Sequence, residues 1–240
     1  MPSANLTEIW VYLSASPLLG LTITLIAYSL AYRLYRTARY SPLLNPVVTS
    51  VATLILFLSA TRTPYPAYFE GGQFVHFLLG PATVALAVPL YQQFAKLKTL
   101  WLPVAIAILT GSSVGALSAV FLARLLGAST QTQLSLAPKS VTTPVAMGIS
   151  EQIGGLPSLT AALVVTTGVM GALGGTTLLR LLRIKNDSVK GITMGVTAHG
   201  IGTARSFQVS SEMGAFSGLG MALSALTTAV MLPWLLNLMQ

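Results

Sequence analysis

Cysteine is absent from the 240 residues, which excludes disulfides, thiol catalysis and thiolate-held metals. Acid is scarce as well: five Asp and Glu stand against thirteen Lys and Arg, leaving a formal net charge of +8. Charged residues make up 8% of the chain, where an ordinary soluble domain carries about 25%. So few charges could not cover the surface of a soluble domain of this length. The two histidines, His76 and His199, lie far apart in the chain and make a poor case for a metal. Paired carboxylates, metal-ligand spacings, a phosphate-binding lysine loop and a nucleophile elbow are all missing, so the sequence reads as no enzyme and calls for no cofactor. The bases do not form a nucleic-acid-binding stretch either. They sit at the ends of apolar runs, where Lys and Arg set membrane orientation.

Long uncharged runs are what the chain has in place of charge. Ile9–Tyr32, Tyr40–Thr61, Thr99–Ala123, Gln152–Leu179 and Met213–Gln240 hold no Asp, Glu, Lys or Arg. A bilayer-spanning helix needs roughly 20 apolar residues. The runs are continuous rather than alternating, which excludes a membrane β-barrel. The fold class is therefore all-α, a polytopic transmembrane helix bundle. Spans are expected at roughly 9–32, 42–60, 73–92, 100–126, 156–179 and 213–237, with broken apolar segments at 131–152 and 190–209. Loops are short, so residues 1–240 read as a single transmembrane domain, led by a first span and basic loop at 1–40. Met1–Glu8 carries no base, unlike the start of a cleaved signal peptide.

Three basic clusters bear on orientation: Arg33, Arg36 and Arg39; Lys96 and Lys98; and Arg180, Arg183, Lys185 and Lys190. Cytoplasmic placement of the first two puts the N-terminus outside. Placing the third there too requires an even number of crossings between Lys98 and Arg180. Either the segment 131–152 enters and leaves on one face, which its broken composition favours, or the rule is broken here. An internal repeat is expected as well. Gly115-Ala116-Leu117 with Leu122, Arg124, Leu125 and Leu126 recurs as Gly171-Ala172-Leu173 with Leu178, Arg180, Leu181 and Leu182. Pro81-Ala82-Thr83-Val84 pairs with Pro138-Lys139-Ser140-Val141 at nearly the same offset. The repeat units would be 73–126 and 130–183. Repeats with Gly/Pro-broken segments at matching positions point to a secondary transporter's binding site.

Polar groups at membrane depth mark the candidate site, because each costs free energy there. In Pro138-Lys139-Ser140-Val141-Thr142-Thr143-Pro144 the prolines remove donors and break the helix. Lys139, the hydroxyls of Ser140, Thr142 and Thr143, and a half-helix N-terminus would suit an anion. The alternative is that Lys139 snorkels to an interface. In Thr197-Ala198-His199-Gly200-Ile201-Gly202-Thr203-Ala204-Arg205-Ser206 the glycines permit an unwound backbone. His199 can titrate, Thr203 can hydrogen-bond, and Arg205 offers a fork for a carboxylate. Against this, small residues also serve close helix packing, and the histidine could simply bond a neighbouring carbonyl. Asn45, His76 and Glu151 complete the set: Asn45 as a further binding residue, and His76 and Glu151 with His199 as gating or proton-coupling groups. Glu212 is the other acid near a broken segment. For His76 and Asn45 a plain helix-to-helix hydrogen bond is the competing reading.

Asn45-Pro46, the stretch Gly80-Pro81-Ala82-Thr83-Val84-Ala85-Leu86-Ala87-Val88-Pro89-Leu90-Tyr91, the Lys139 motif and His199-Gly200-Ile201-Gly202-Thr203-Ala204-Arg205 resemble the LrgB/CidB family from about Ser41 onward. The resemblance implies a bacterial inner-membrane protein of holin-like or antiholin-like type, regulating murein hydrolases. It also implies a carrier for small monocarboxylates (glycolate, glycerate, lactate or pyruvate), since the family includes the C-terminal half of the plastid glycolate/glycerate transporter. The Gly/Pro breaks flanked by bases make this the expected function, with the anion on Lys139, Arg205 and half-helix N-termini, and the holin-like role the alternative. A separate LrgA-like membrane partner is implied, and homo-oligomers, contact with membrane lipid and coupling to a proton or sodium ion are compatible with it. Nucleic acid is not among the expected partners.

Overall fold

The computed structural model describes residues 17–38, 40–41, 44–78, 81, 84–85 and 87–237, without the side chains of Pro17, His76 and Asn237. All elements among them are helices: α1 Pro17–Thr37, α2 Pro46–Thr61, α3 Tyr65–Phe77, α4 Ala87–Gln92, α5 Phe94–Leu125, α6 Thr130–Leu136, α7 Thr143–Gln152, α8 Pro157–Leu181, α9 Asp187–Val209 and α10 Ser211–Asn237. Four helices, beginning at Leu18, Phe94, Pro157 and Ser211, are long and apolar enough to cross a membrane. A helical membrane bundle fits. The chain falls into two compact units, Met1–Ala85 and Leu86–Gln240.

In the first unit, α1 packs on both α2 and α3. Gly20 lets α1 approach the carbonyl of Tyr68, and Thr24 Oγ1 lies 2.7 Å from the Tyr68 hydroxyl. Asn45 caps α2: its Oδ1 accepts from the amides of Val47 at 2.9 Å and Val48 at 3.4 Å, and Pro46 occupies the first turn, where no donor is needed. The expected span 73–92 is not one helix. Gly71-Gly72 and Pro81 bracket its start, α3 ends at Phe77 and α4 covers only Ala87–Gln92. Most of the intervening motif, residues 79, 80, 82, 83 and 86, lies outside the described residues, as does the first third of the expected first span, 9–16.

The second unit is built on three long helices. The starts of α5, α9 and α10 lie together: Lys96 Nζ donates to Glu212 Oε1 at 2.5 Å, and Ser188 Oγ donates to the same oxygen at 2.6 Å. The end of α8 joins them, since Leu179, Met194 and Met213 share a buried cluster backed by Ile184. This end of the unit is the basic face, because Lys96, Lys98 and the cluster from Arg180 to Lys190 all lie there. Thus α5 runs away from the basic face, α8 returns to it and α10 leaves again.

The segments between the long helices do not cross. α6 ends where Pro138 interrupts it, and α7 turns back. Leu156, at the start of α8, donates its amide to Ser135 Oγ at 2.8 Å. Thr160 Oγ1 lies within hydrogen-bond reach of both the Ser135 carbonyl (2.9 Å) and Ser150 Oγ (2.7 Å). Ser135, Ser150 and Thr160 are all fully buried, so this knot is paid for by complete pairing. Segment 131–152 is therefore re-entrant, and Lys98 and Arg180 reach the same face as the charge pattern requires.

α9 is a second re-entrant hairpin. Ala198 (φ −129°, ψ 15°) and His199 (φ 41°, ψ −135°) break the helix at its middle, and the two arms return to one place. Ser210 Oγ, just past the second arm, donates to Asp187 Oδ2 at the start of the first, at 2.8 Å. Lys190 Nζ holds the other carboxylate oxygen at 2.7 Å. The first arm lies directly on α10, because a Cβ on Gly195 would strike the main chain of Ser217 and Met221. Small residues permit such contact where lipid supplies no hydrophobic drive.

Candidate functional site

The two hairpins enter from opposite faces and their tips come to the same level of α8. At the first tip, Lys139 and Val141 are held by tight turns: the Lys139 amide bonds Leu136 O at 3.1 Å and the Val141 amide bonds Pro138 O at 3.3 Å. Thr142 then takes an extended conformation (φ −62°, ψ 145°) and begins α7 without using its side chain as a cap. The first amides of α7 therefore face the tip with no side chain spent on them, and the positive end of the helix dipole lies there. Lys139 is half-buried, with Nζ 3.5 Å from the Gly115 carbonyl of α5 and 3.4 Å from Ser140 Oγ. Both are long contacts for an ammonium group. Thr143 and Ser140 are partly buried beside it.

At the second tip His199 is 4% exposed. Its Nε2 lies 2.9 Å from the backbone oxygen of Val164 on α8, and its main-chain carbonyl accepts from Thr203 Oγ1 at 2.9 Å. Thr203 also lies 3.0 Å from Ser217 Oγ on α10. Gly168 makes room for the imidazole, since a Cβ there would lie 2.6 Å from Cε1. The second arm of α9 starts at Gly200, which gives this tip its own helix N-terminus. Gly202 lies against the end of the first arm, close to Ala198 and the Met194 carbonyl. The tips share one wall: the Val164 side chain belongs to the same buried cluster as Val141, Ala146 and Ala116.

Six expected site residues thus lie at two tips. Lys139, Ser140, Thr142 and Thr143 are at the first, where Lys139 reaches Gly115 of α5. His199 and Thr203 are at the second, where His199 meets Val164 of α8, accompanied by Gly200 and Gly202. Others do not join them. Arg205 lies further down the second arm and lines a cleft of about 430 Å³ with Arg180, Arg183, Lys185 and Lys190, a lining that does not include Lys139. Asn45 belongs to the first unit, where its carboxamide oxygen is engaged as a cap. Glu151 is exposed at the end of α7, away from the tip. His76 falls within α3 and its side chain is outside the described residues.

Sequence reasoning missed Val164 and the clasp at the base of the second hairpin. Val164 contributes a backbone oxygen, which no residue type announces. The clasp did have a signal: Asn186-Asp187-Ser188 has the form of a helix start, and Asn186 Oδ1 indeed accepts from the amides of Ser188 and Val189 at 2.9 and 3.2 Å.

Comparison with known proteins finds matches over nearly the whole chain. The profile of the LrgB-like family matches residues 24–238. A Bacillus subtilis protein, YwbG, named only as uncharacterized, is 36% identical over 223 residues, covering 92% of this chain and 98% of its own. The holin-like protein CidB of Staphylococcus epidermidis is 31% identical over 227 residues, 95% of this chain and 98% of its own. The antiholin-like protein LrgB of Bacillus cereus is 30% identical over 218 residues, 91% of this chain and 95% of its own. No solved structure matches the chain.

Proposed function

Since this chain belongs to the LrgB-like family, we propose that it acts in a bacterial membrane in the holin-like or antiholin-like way its relatives are named for, and that it regulates murein hydrolase release. The relatives' names support this reading more directly than they support a carboxylate carrier, and the matches cover almost the full length of both partners. An LrgA-like membrane protein is the proposed partner, and co-purification with such a protein tests that pairing. The basic face is proposed to be cytoplasmic, following the positive-inside rule, with the N-terminus outside.

The second reading is a different function, transport, and the paired hairpins favour it. We propose that the tips form a gated pathway for a small monocarboxylate of the glycolate, glycerate, lactate or pyruvate type. Two helix N-termini and Lys139 at the level of Val164 are suited to a single negative charge. The hydroxyls of Ser140, Thr142, Thr143 and Thr203 would meet a substrate hydroxyl, and His199 would gate or carry a proton. An unselective lesion needs no such convergence of broken helices. Uptake of labelled glycolate into proteoliposomes, beside release of a trapped bulky dye, separates the two readings. Saturable uptake without dye release supports the carrier. Dye release that does not saturate supports the lytic reading and removes the carrier.

A further inference from the structure

We propose that the cleft at the basic face binds a phosphate group, presented by an anionic phospholipid or by a soluble phosphate compound, and that this ligand ties the second hairpin to the end of α8. The proposal does not depend on which function the hairpin tips serve. Arg180, Arg183, Lys185, Lys190 and Arg205 all line one cleft of about 430 Å³, within the size range of small-ligand sites. They come from three places: the last turn of α8, the loop after it, and both arms of α9. The acid beside them is Asp187, which pairs with Lys190 at 2.7 Å; among the described residues no carboxylate pairs with Arg180, Arg183 or Lys185. A monocarboxylate would answer one of these charges. A phosphate carries more charge and more acceptor oxygens, and arginine forks grip it in bidentate fashion.

The remaining walls indicate the source. Ile184, Val209 and Met213 line the same cleft, and Leu181 and Leu182 beside it are 78% and 60% exposed. Cations on one side and apolar surface on the other, at the end of a membrane-spanning helix, match the headgroup and first acyl carbons of a phospholipid. Anionic lipids also gather at basic membrane-proximal surfaces. Arg183 adds a practical handle. It ends α8 in the left-handed region at φ 57°, a position where glycine is at ease, so Arg183→Gly removes the charge without straining the chain.

The purified protein in neutral detergent is to be titrated with phosphatidylglycerol, phosphatidylcholine, pyrophosphate and glycolate, reading thermal stability and lipid stoichiometry by native mass spectrometry. The expected result is one retained phosphatidylglycerol per chain and a Tm raised by several degrees, with no effect of phosphatidylcholine. Arg183→Gly combined with Lys185→Gln should abolish that shift while the lipid-free Tm is kept. Lys98→Gln, a basic-face change outside the cleft, should leave the shift intact. An equal shift from pyrophosphate supports the same site with a soluble phosphate as its source. The proposal is overturned if no phosphate compound shifts Tm, if the double variant keeps the full shift, if Lys98→Gln abolishes it equally, or if glycolate alone produces it.

Discussion

The imidazole Nε2 of His199 and the backbone oxygen of Val164 are 2.9 Å apart, and the Val164 side chain packs in one cluster with Val141 of the opposite hairpin. One residue of α8 thus bonds the second re-entrant segment and shares a buried cluster with the first. The proposed gating would act through this shared wall.

Gly168→Ala tests the histidine seat. Alanine in a helix interior is intrinsically favoured by up to about 1 kcal/mol over glycine. Here the new Cβ would lie 2.6 Å from His199 Cε1 and 2.8 Å from Nε2, and overpacking costs about 1–3 kcal/mol. A lowered Tm is expected, partly restored in the Gly168→Ala/His199→Ala double variant. A double-mutant cycle with no coupling would mean that the ring does not occupy this seat.

Gly195→Ala should be more damaging, because its Cβ would meet main chain rather than a side chain: the Ser217 carbonyl, and the Met221 amide at 2.8 Å. Gly174→Ala is the matched control, with nothing within 4 Å of its added Cβ. Melting curves in detergent should show a clear loss for the first. The second should be neutral or gain up to about 1 kcal/mol.

Lys139→Met separates function from stability. Losing a charge-assisted contact worth about 1.5–3 kcal/mol should lower glycolate uptake roughly 10- to 100-fold. Stability should hold or rise, since a buried base within the membrane costs about 2.5–3.5 kcal/mol on insertion scales. Unchanged uptake would remove Lys139 from the pathway.

Acid should open the base of the second hairpin. The Lys190 ammonium, and next the Ser210 hydroxyl, hold the Asp187 carboxyl below the usual carboxylate range. A depressed folded value means that the unfolded chain binds the proton more readily. The clasp's contribution is therefore full above the ordinary Asp value, about 3.9, and is lost as pH falls through the lower folded value. Protection factors of the amides at the two ends of α9, which divide out the intrinsic pH dependence of exchange, should be flat from neutral to mildly acidic pH and fall below that. Asp187→Asn should be less protected wherever the wild-type carboxylate is ionised, and the two should converge in stronger acid.

Both breaks were legible in the sequence because proline and glycine leave local signatures: Pro138 and Pro144 at one tip, Gly200 and Gly202 at the other. The long helices were legible from their uncharged runs. α5 starts six residues before the expected 100, since the stems of Lys96 and Lys98 extend a helix beyond its apolar run. The direction in which α9 folds back was not legible. It depends on the pairing of Asp187 with Ser210 and on contact between Gly195 and the α10 backbone, both set by tertiary packing. The same packing explains Arg205: the hairpin carries it down the second arm, toward Arg180 and Arg183, instead of toward Lys139.

The pair of opposed re-entrant hairpins is tested most directly by thiol accessibility, for which the chain's lack of cysteine gives a clean background. Single substitutions Ser129→Cys and Gln152→Cys flank the first hairpin, and Lys185→Cys and Gln208→Cys flank the second. In oriented vesicles, a membrane-impermeant maleimide should label both members of a pair from the same side, and the two pairs from opposite sides. Labelling of Ser129→Cys and Gln152→Cys from opposite sides, or of Lys185→Cys and Gln208→Cys from opposite sides, would make that segment a crossing helix and contradict the account.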